Sequence, residues 1–205
     1  MPPTFTLENI VLEGKHVRLE PYDEHLKAPL GAALDCDDAA WELFTMSGQG
    51  EHFGAWWVRL NRQIDAGQWF AYAIRDLSTQ TIVGTSSFLH IKTERRSVEI
   101  GATFLRPEAR SGYVNAESKL LMLEYAFGRG ARRVELYTDA RNLRSQAAIA
   151  KLGAVREGVL RRDRETWTGH IRDSVIYSIT DLDWSEVRSR LQARLSRYDK
   201  TIATR

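Results

Sequence analysis

The 205-residue sequence has a single cysteine, Cys36, and only five prolines. One cysteine excludes an intrachain disulfide and is typical of a protein that works in a reducing compartment. Long apolar runs are also missing, because even the least charged stretch, residues 77–91, carries several serines and threonines. That stretch is too polar and too short to span a membrane. The N-terminus has no basic region followed by an apolar core, so we expect no signal peptide and a cytoplasmic location.

An excess of one charge sign is absent as well. Lys and Arg total 29 against 27 for Asp and Glu, the net charge is +2, and the two signs are interleaved. This pattern does not indicate a nucleic-acid partner. The five histidines have no paired spacing, so we expect no metal. With 43% hydrophobic residues, the length predicts one globular domain over 1–205, with an N-terminal arm (1–13) and a C-terminal helix and tail (183–205).

Apolar periodicity predicts the secondary structure of both halves. In the first half, it predicts helices over 23–36 and 55–66 and strands over 15–20, 69–76, 81–91 and 97–105. The last three strands have short connections, which favours an antiparallel meander. The second half alternates strand and helix: helices over 115–128, 144–152 and 183–196, and strands over 133–138, 154–163 and 170–180. We therefore expect a mixed, partly parallel α/β sheet in one domain.

Two polar loops follow neighbouring strands and open helices. In residues 106–115, free backbone N–H groups and a positive helix end can bind phosphate, with charge added by Arg106 and Arg110. The alternative is a plain turn capped by Asn115. In residues 138–145, Asn142 is a good N-cap whose amide can also hold a ligand, with the Ser145 hydroxyl nearby. The alternative is that Asn142 and Ser145 only cap their helix. Both loops lie at the carboxyl ends of a parallel strand pair, where ligands of open α/β sheets bind.

Several short sequence blocks, taken in their order and spacing, resemble those of a known protein family. They read VEIG at 98–101, VNAESK at 114–119, YAF at 125–127, NLRSQAA at 142–148, KLGA at 151–154, EG at 157–158 and GHIRDS at 169–174, with LEGKHVRL at 12–19 ahead of them. Together they resemble the GNAT superfamily of acyl-CoA-dependent N-acetyltransferases. The sequence is most similar to the RimJ/RimL-like branch of ribosomal-protein Nα-acetyltransferases.

The resemblance implies a single-domain α/β fold whose mixed central sheet is splayed into a V, with helices on both faces. Acetyl-CoA would lie between the strands at 97–105 and 133–138. Its diphosphate would rest on a loop formed by Arg110, Ser111, Gly112, Tyr113, Val114 and Asn115. Tyr113 stands where the family has a glycine. A glycine at this position lets the backbone approach the pyrophosphate closely. The tyrosine ring must therefore point outward, or the loop must shift.

The implied reaction is attack of a neutral amine on a thioester, which needs a base, an oxyanion donor and an acid for the leaving thiolate. Glu99 is the first candidate base because it lies in the strand that lines the cleft; alternatively it faces solvent or pairs with an arginine. Glu165 and His90 are further candidates. The oxyanion donors would be backbone N–H groups in the second half of strand 97–105.

Ser145 is the candidate acid, with Tyr137 or Tyr177 as substitutes, and Asn142 would bind the pantetheine arm. The acceptor is expected to be a primary amine, either a protein N-terminus or a small molecule. Aromatic residues of the 41–54 loop, Trp41, Phe44 and Phe53, are candidates for its pocket wall. The acidic cluster Asp35, Asp37 and Asp38 is either a cation attractor or an exposed turn. A CoA-binding module without catalysis is the alternative function, and helix 183–196 is a candidate homodimer contact.

Overall fold

The computed structural model describes residues 5–203, with side chains up to Asp199. Within this range the chain forms one eight-stranded sheet and six α-helices. The strands are β1 Leu12–Glu13, β2 Val17–Pro21, β3 Trp69–Asp76, β4 Thr81–Lys92, β5 Ser97–Leu105, β6 Arg133–Asp139, β7 Val155–Glu165 and β8 Ile171–Thr180. The helices are α1 Glu24–Leu34, α2 Asp38–Trp41, α3 Phe53–Asp65, α4 Tyr113–Gly128, α5 Leu143–Leu152 and α6 Trp184–Ala203.

The sheet has the order β1-β2-β3-β4-β5-β6-β8-β7. Every neighbouring pair is antiparallel except β5 and β6, which are parallel. The predicted meander is β3-β4-β5, and helix α4 makes the crossover that a parallel neighbour requires. The predicted mixed α/β sheet is confirmed.

Helices cover both faces of the sheet and enclose two separate apolar clusters. On one face, α1 to α3 bury residues such as Leu30, Trp41 and Trp56 against β3 and β4. We call this the α1–α3 face. On the other, α4, α5 and α6 bury residues such as Leu123 and Leu191 against all the longer strands except β7. We call this the α4–α6 face.

Several boundaries differ from the sequence expectations for local reasons. Helix α4 begins at Tyr113 rather than 115, because Gly112 is its N-cap. Helix α2 was not predicted; it is a single turn whose N-cap, Asp37, accepts a hydrogen bond from the backbone N–H of Ala40. The N-terminal arm is docked from residue 5 onward, since Phe5 is fully buried in the core of the α4–α6 face. Residues 1–4 lie outside the described part of the chain.

A buried carboxylate ties this N-terminal segment to α4. Glu117 is 5% exposed, and its two oxygens accept the backbone N–H groups of Lys15 and His16, each at 2.8 Å. A Cβ on Gly14 would come within 2.8 Å of the same carboxylate. Glu117 thus stabilises the β1–β2 turn by occupying both of its free donors.

We predict that Glu117→Gln lowers the free energy of unfolding by about 1–3 kcal/mol, because the amide NH₂ faces a backbone donor and leaves it unsatisfied. Urea unfolding measures the change. Glu124→Gln is the matched control on the same helix; it removes only a surface ion pair with Arg188 and should cost no more than about 0.5 kcal/mol. Equal losses in the two variants would contradict this assignment.

Candidate active site

Strands β5 and β6 pair only at their beginnings. Their ladder consists of Ser97 with Arg133, Val98 with Val134 and Glu99 with Glu135. Beyond Glu99 the two strands continue without pairing with each other, β5 as far as Leu105 and β6 as far as Asp139. A cavity of about 480 Å³ lies in the gap and is lined by residues of both strands and of the loops that follow them. The V-shaped separation expected from the resemblance is present.

Side-chain alternation divides the cavity between the two faces of the sheet. Val98, Ile100 and Val134 belong to the apolar core of the α4–α6 face. The residues between them in sequence, among them Glu99, therefore point to the α1–α3 face. Tyr137 shares that side by the same alternation, because Leu136 is buried on the other side. The gap thus connects two chemically different halves of one cavity.

The loop at 110–115, which we call the phosphate cradle, opens α4 at the edge of the gap. Ser111, Gly112 and Asn115 line the cavity, and Ser111 adopts a left-handed φ of 63°. Val114 is buried in the core, so only its backbone N–H is available to a ligand. The unpaired N–H groups of this first helical turn and the helix dipole favour an anion.

Tyr113 leaves the cradle open because its ring points away from the cavity. Its hydroxyl donates to the Asp76 carboxylate at 2.9 and 3.1 Å and lies 3.2 Å from the Ser78 hydroxyl. Burial raises the pKa of Tyr113, so the phenol stays protonated as a donor. Of the two arrangements expected for a tyrosine at this position, the outward one is observed.

Arg110 lines the cavity, but its guanidinium is engaged. It pairs with Asp37 and donates from Nε to the Leu105 carbonyl at 2.8 Å. Burial alone would raise the pKa of Asp37, yet the hydrogen bond and charge of Arg110 outweigh it and hold the pKa below its usual value. Asp37 therefore turns towards the cradle. Asp35, a neighbour in the acidic cluster, is exposed.

Asn142 and Ser145 meet at the start of α5, and both line the cavity. The Asn142 Oδ1 accepts the backbone N–H of Ser145 at 2.9 Å, so the predicted N-cap is present. The Nδ2 group of Asn142 and the Ser145 hydroxyl make no hydrogen bond within the described chain. Capping uses only the oxygen of Asn142, which leaves an N–H donor for a ligand carbonyl.

Glu99 is a buried carboxylate at the point where the strands separate. It is 4% exposed, and its Oε2 lies 2.8 Å from His90 Nδ1. Because an ionised carboxylate only accepts, His90 donates to it from Nδ1. His90 lines the cavity with its side chain half exposed. Of the two alternatives for Glu99, the solvent-facing one is not observed, whereas pairing with an arginine is observed in part, because Arg164 forms a salt bridge with Glu99 at 3.9 Å.

The other acid–base candidates separate clearly by position. Tyr137 lines the cavity, and burial, with the charges of Glu135 and Glu99, raises its pKa to about 12. Tyr177 is buried and bonded to Gln146 at 3.4 Å, away from the cavity lining. Glu165 is exposed at the end of β7 and also lies outside the lining.

A β-bulge shapes the second half of β5. Ser86 of β4 stands opposite two residues, Ala102 and Thr103, because the register moves between the pairs Thr85–Phe104 and Ser87–Gly101. Ala102 has a φ of 47°. A bulge leaves backbone groups without a ladder partner. Such groups next to the gap are where oxyanion donors were expected.

Lys119 lies beside this bulge and was missed by the sequence analysis. It is 4% exposed and donates to Ser86 Oγ at 2.8 Å and to Thr103 Oγ1 at 2.6 Å. Burial lowers its pKa to about 7. The available signal was its place in a helix that is buried nearly all round, where a lysine is costly.

The segment 40–45 walls the α1–α3 side of the cavity. Phe44 lines it, whereas Trp41 is buried and stacks on Phe104 at 4.6 Å. Phe53 packs on Trp56 and stays outside the lining. The β7–β8 turn fastens this wall, because Trp167 Nε1 donates to the Trp41 carbonyl at 2.9 Å. Of the three aromatic candidates, one reaches the cavity.

Within residues 5–203, no cluster of three or more His, Cys, Asp or Glu side chains is suited to hold a metal ion. In the same range, no helix is long and apolar enough to cross a membrane.

We predict that wild type gains stability relative to Lys119→Met as the pH rises from about 7.5 to 10. In that window the folded lysine is mostly neutral and the unfolded one is still protonated, so the unfolded state binds more protons and alkali favours folding. The expected slope is about 1 kcal/mol per pH unit. Urea unfolding at several pH values measures it, and parallel curves for the two proteins would contradict it.

Comparison with known proteins agrees with this geometry. A model of the GNAT acetyltransferase domain matches residues 16–155. A protein of T. thermophilus described as an acetyltransferase is 33% identical, with a TM-score of 0.81 over 90% of this chain and 96% of that one. A GCN5-related N-acetyltransferase from Brucella melitensis is 24% identical, with a TM-score of 0.85 over 93% of this chain and 87% of that one.

Mycobacterium smegmatis RimJ in complex with CoA-disulfide shares the fold at 21% identity, with a TM-score of 0.73 over 86% of this chain and 88% of that one. No curated protein matches the sequence. The family model covers well over half of the residues, and the chain therefore belongs to the GNAT acetyltransferase family, which implies acyl transfer from acyl-CoA.

Proposed function

We propose that this protein is an N-acetyltransferase that moves an acetyl group from acetyl-CoA to a primary amine. The observation that carries the proposal is the gap between β5 and β6, which joins the phosphate cradle on one side to the buried Glu99 on the other. A thioester in the gap would present its carbonyl between the two. A CoA-binding module without catalysis needs only the cradle and leaves the buried carboxylate at the gap unexplained.

In this proposal, the cofactor is held by backbone and amide donors. The cradle N–H groups take the diphosphate, and the free N–H of Asn142 takes a carbonyl of the pantetheine arm. Arg144 and Lys151 line the same side and supply positive charge for phosphate. The proposal assigns no step to a metal.

The chemistry is direct attack of the amine in a ternary complex. Glu99, with His90 donating to it, takes the amine proton, and the bulge at Ala102 supplies donors for the oxyanion. Ser145 returns a proton to the thiolate, with Tyr137 as the alternative because it lines the same cavity. A covalent acetyl-cysteine is disfavoured, since Cys36 lies outside the cavity lining and burial raises its pKa.

The acceptor is a protein N-terminus or a small amine, and membership of the RimJ/RimL-like branch is part of the proposal. RimJ is among the structural relatives, as is a Vibrio fischeri ribosomal-protein-S5-alanine acetyltransferase at 16% identity. At such identities these relatives support the fold, and an acceptor assay decides the branch.

We also propose a cytoplasmic homodimer, to be tested by light scattering. The apolar residues of α6 that suggested it, Val187 and Leu191, are buried inside the chain. A second copy would instead meet the exposed apolar residues Val155, Val159 and Leu160 of the edge strand β7.

Thiol release from acetyl-CoA over peptides, polyamines, aminoglycosides and amino acids tests the function. We predict that Glu99→Gln lowers kcat/KM by about 100-fold, because the amide cannot take the amine proton. His90→Gln retains a donor to Glu99 and should keep more activity. The exposed Glu94 offers the control, and Glu94→Gln should match wild type. A Glu99→Gln variant with the kcat/KM of wild type would place the base elsewhere.

We predict that Asn142→Ala weakens CoA binding about tenfold, measured by titration calorimetry, because a hydrogen bond to the pantetheine is lost. The same change removes the N-cap of α5 and lowers stability by about 1 kcal/mol. Asn142→Asp separates the effects, since it keeps the capping oxygen and loses the N–H donor. It should bind CoA as weakly as the alanine variant while retaining stability; wild-type affinity would contradict the assignment.

A further inference from the structure

Two arginines, Arg164 and Arg172, stand directly opposite each other across the β7–β8 ladder. Both line the cavity. Like charges in directly opposed positions destabilise a sheet. Burial and the charge of Arg164 lower the pKa of Arg172, although the charges of Asp139, Asp163 and Glu99 act in the opposite direction. Arg164 has carboxylate partners in Asp163 and Glu99. Arg172 has none within ion-pair distance in the described part of the chain, and its position points to an anionic ligand.

Arg172 has N–H donors that the protein does not use. It is 7% exposed, donates from Nε to Ser174 Oγ at 3.0 Å and from Nη1 to the Leu43 carbonyl at 3.2 Å. Its Nη2 group has no hydrogen-bond partner among the described side chains and backbone, and no carboxylate in that part of the chain forms an ion pair with it. The charges of Asp139, Asp163 and Glu99 act on Arg172 from a distance. None of these carboxylates occupies its free Nη2 group, which an anion can contact directly.

Arg164 connects this cation to the proposed base. Its Nε donates to the Asp163 carboxylate at 2.9 Å, its guanidinium stacks over the Tyr137 ring at 5.2 Å, and its Nη2 lies 3.9 Å from Glu99 Oε2. Two carboxylates, Asp163 and Glu99, and two guanidinium groups thus lie close together beside the cavity.

These arginines are on the side of the sheet away from the phosphate cradle. Val175, Tyr177 and Ile179 of β8 are buried on the α4–α6 face. Arg172 has the opposite parity in β8 and contacts Leu43, the residue that follows α2 by two positions. Glu99 shares that side. The cations therefore face the space left to the acceptor, and the cofactor phosphates have their own cradle.

From this arrangement we infer that the acceptor is a small amine that carries a carboxylate next to its amino group, as a free α-amino acid does. This rests on the proposed function. The ammonium lies against Glu99, and the carboxylate spans to Arg164 and Arg172. An α-amino acid has its two charges a few ångströms apart, which matches the 3.9 Å between the Glu99 and Arg164 groups. After deprotonation the amine attacks the thioester while the carboxylate stays fixed.

The same charges disfavour other amines. A polyamine or aminoglycoside brings additional cations towards the two guanidinium groups. A peptide N-terminus has a neutral amide where the carboxylate would be, which leaves Arg172 unpaired. A peptide with N-terminal aspartate offers a carboxylate one carbon further away and is a separate arm of the test.

The experiment compares matched acceptors by thiol release: the twenty common α-amino acids, their primary amides and an Asp-initiated peptide. For the best amino acid we expect a kcat/KM at least 100-fold above that of its amide. Arg172→Gln should raise the KM for this amino acid 10- to 100-fold, bring the acid-to-amide ratio close to one and leave the KM for acetyl-CoA within twofold. Arg172→Lys should give a KM and an acid-to-amide ratio between those of wild type and Arg172→Gln. Arg161 is exposed on the neighbouring strand β7, and Arg161→Gln should match wild type.

Equal rates for acids and amides, preference for the peptide, or an Arg172→Gln effect on the KM for acetyl-CoA would overturn the inference while leaving acetyl transfer standing. Failure of every amine would overturn the proposed function instead. In that case, titration of the CoA-bound protein with amino acids and amides still decides the anion site. Binding of the acids in preference to the amides, with the preference lost in Arg172→Gln, would support the anion site. Equal binding of acids and amides would contradict it.

Discussion

The early end of the β5–β6 ladder is the constraint on which the rest of the structure depends. A parallel pair in a sheet normally continues, but here pairing ends at Glu99 and Glu135. Two local features favour the separation: the bulge at Ala102 bends β5 away, and α4 and α5 begin on the loops that follow the two strands. The unpaired backbone groups then need partners, and a ligand with amides of its own can supply them.

The separation of β5 and β6 also places groups of different charge on the two sides of the gap. Helix N-termini and cradle amides make one face of the gap attractive to phosphate, while Arg164 and Arg172 make the other attractive to a carboxylate. Glu99 lies between them, buried and supported by His90. Asp37 pairs with Arg110 and so links α2, which walls the acceptor space, to the phosphate cradle. The proposed cofactor and acceptor sites are therefore in contact through a short helix.

Most of the fold could be predicted from local sequence patterns. Alternation located the longer strands, and Asn142 and Gly153 marked the ends of α5 because capping depends on neighbouring residues. Long-range pairs carry no such signal. The contact of Arg172 with Leu43 joins residues far apart in sequence, and the salt bridge of Arg110 with Asp37 crosses from one helix start to another.

Within the site, the sequence indicated the cradle, Glu99 and Asn142, since each follows or lies in a predicted strand. It did not indicate Lys119, whose neighbours in the helix resemble an ordinary core stripe, or the orientation of Tyr113, which is fixed by Asp76 of a distant strand. Side-chain direction in loops depends on tertiary partners that pattern alone does not identify.

Hydrogen–deuterium exchange with and without CoA tests the central claim most directly, because the claim concerns backbone amides in the gap. Bound CoA should slow exchange at residues 101–105 and 111–115 and leave the paired residues 97–99 unchanged. Unchanged exchange at 101–105 in a CoA-saturated protein would show that the pantetheine does not enter between the strands and would contradict the account.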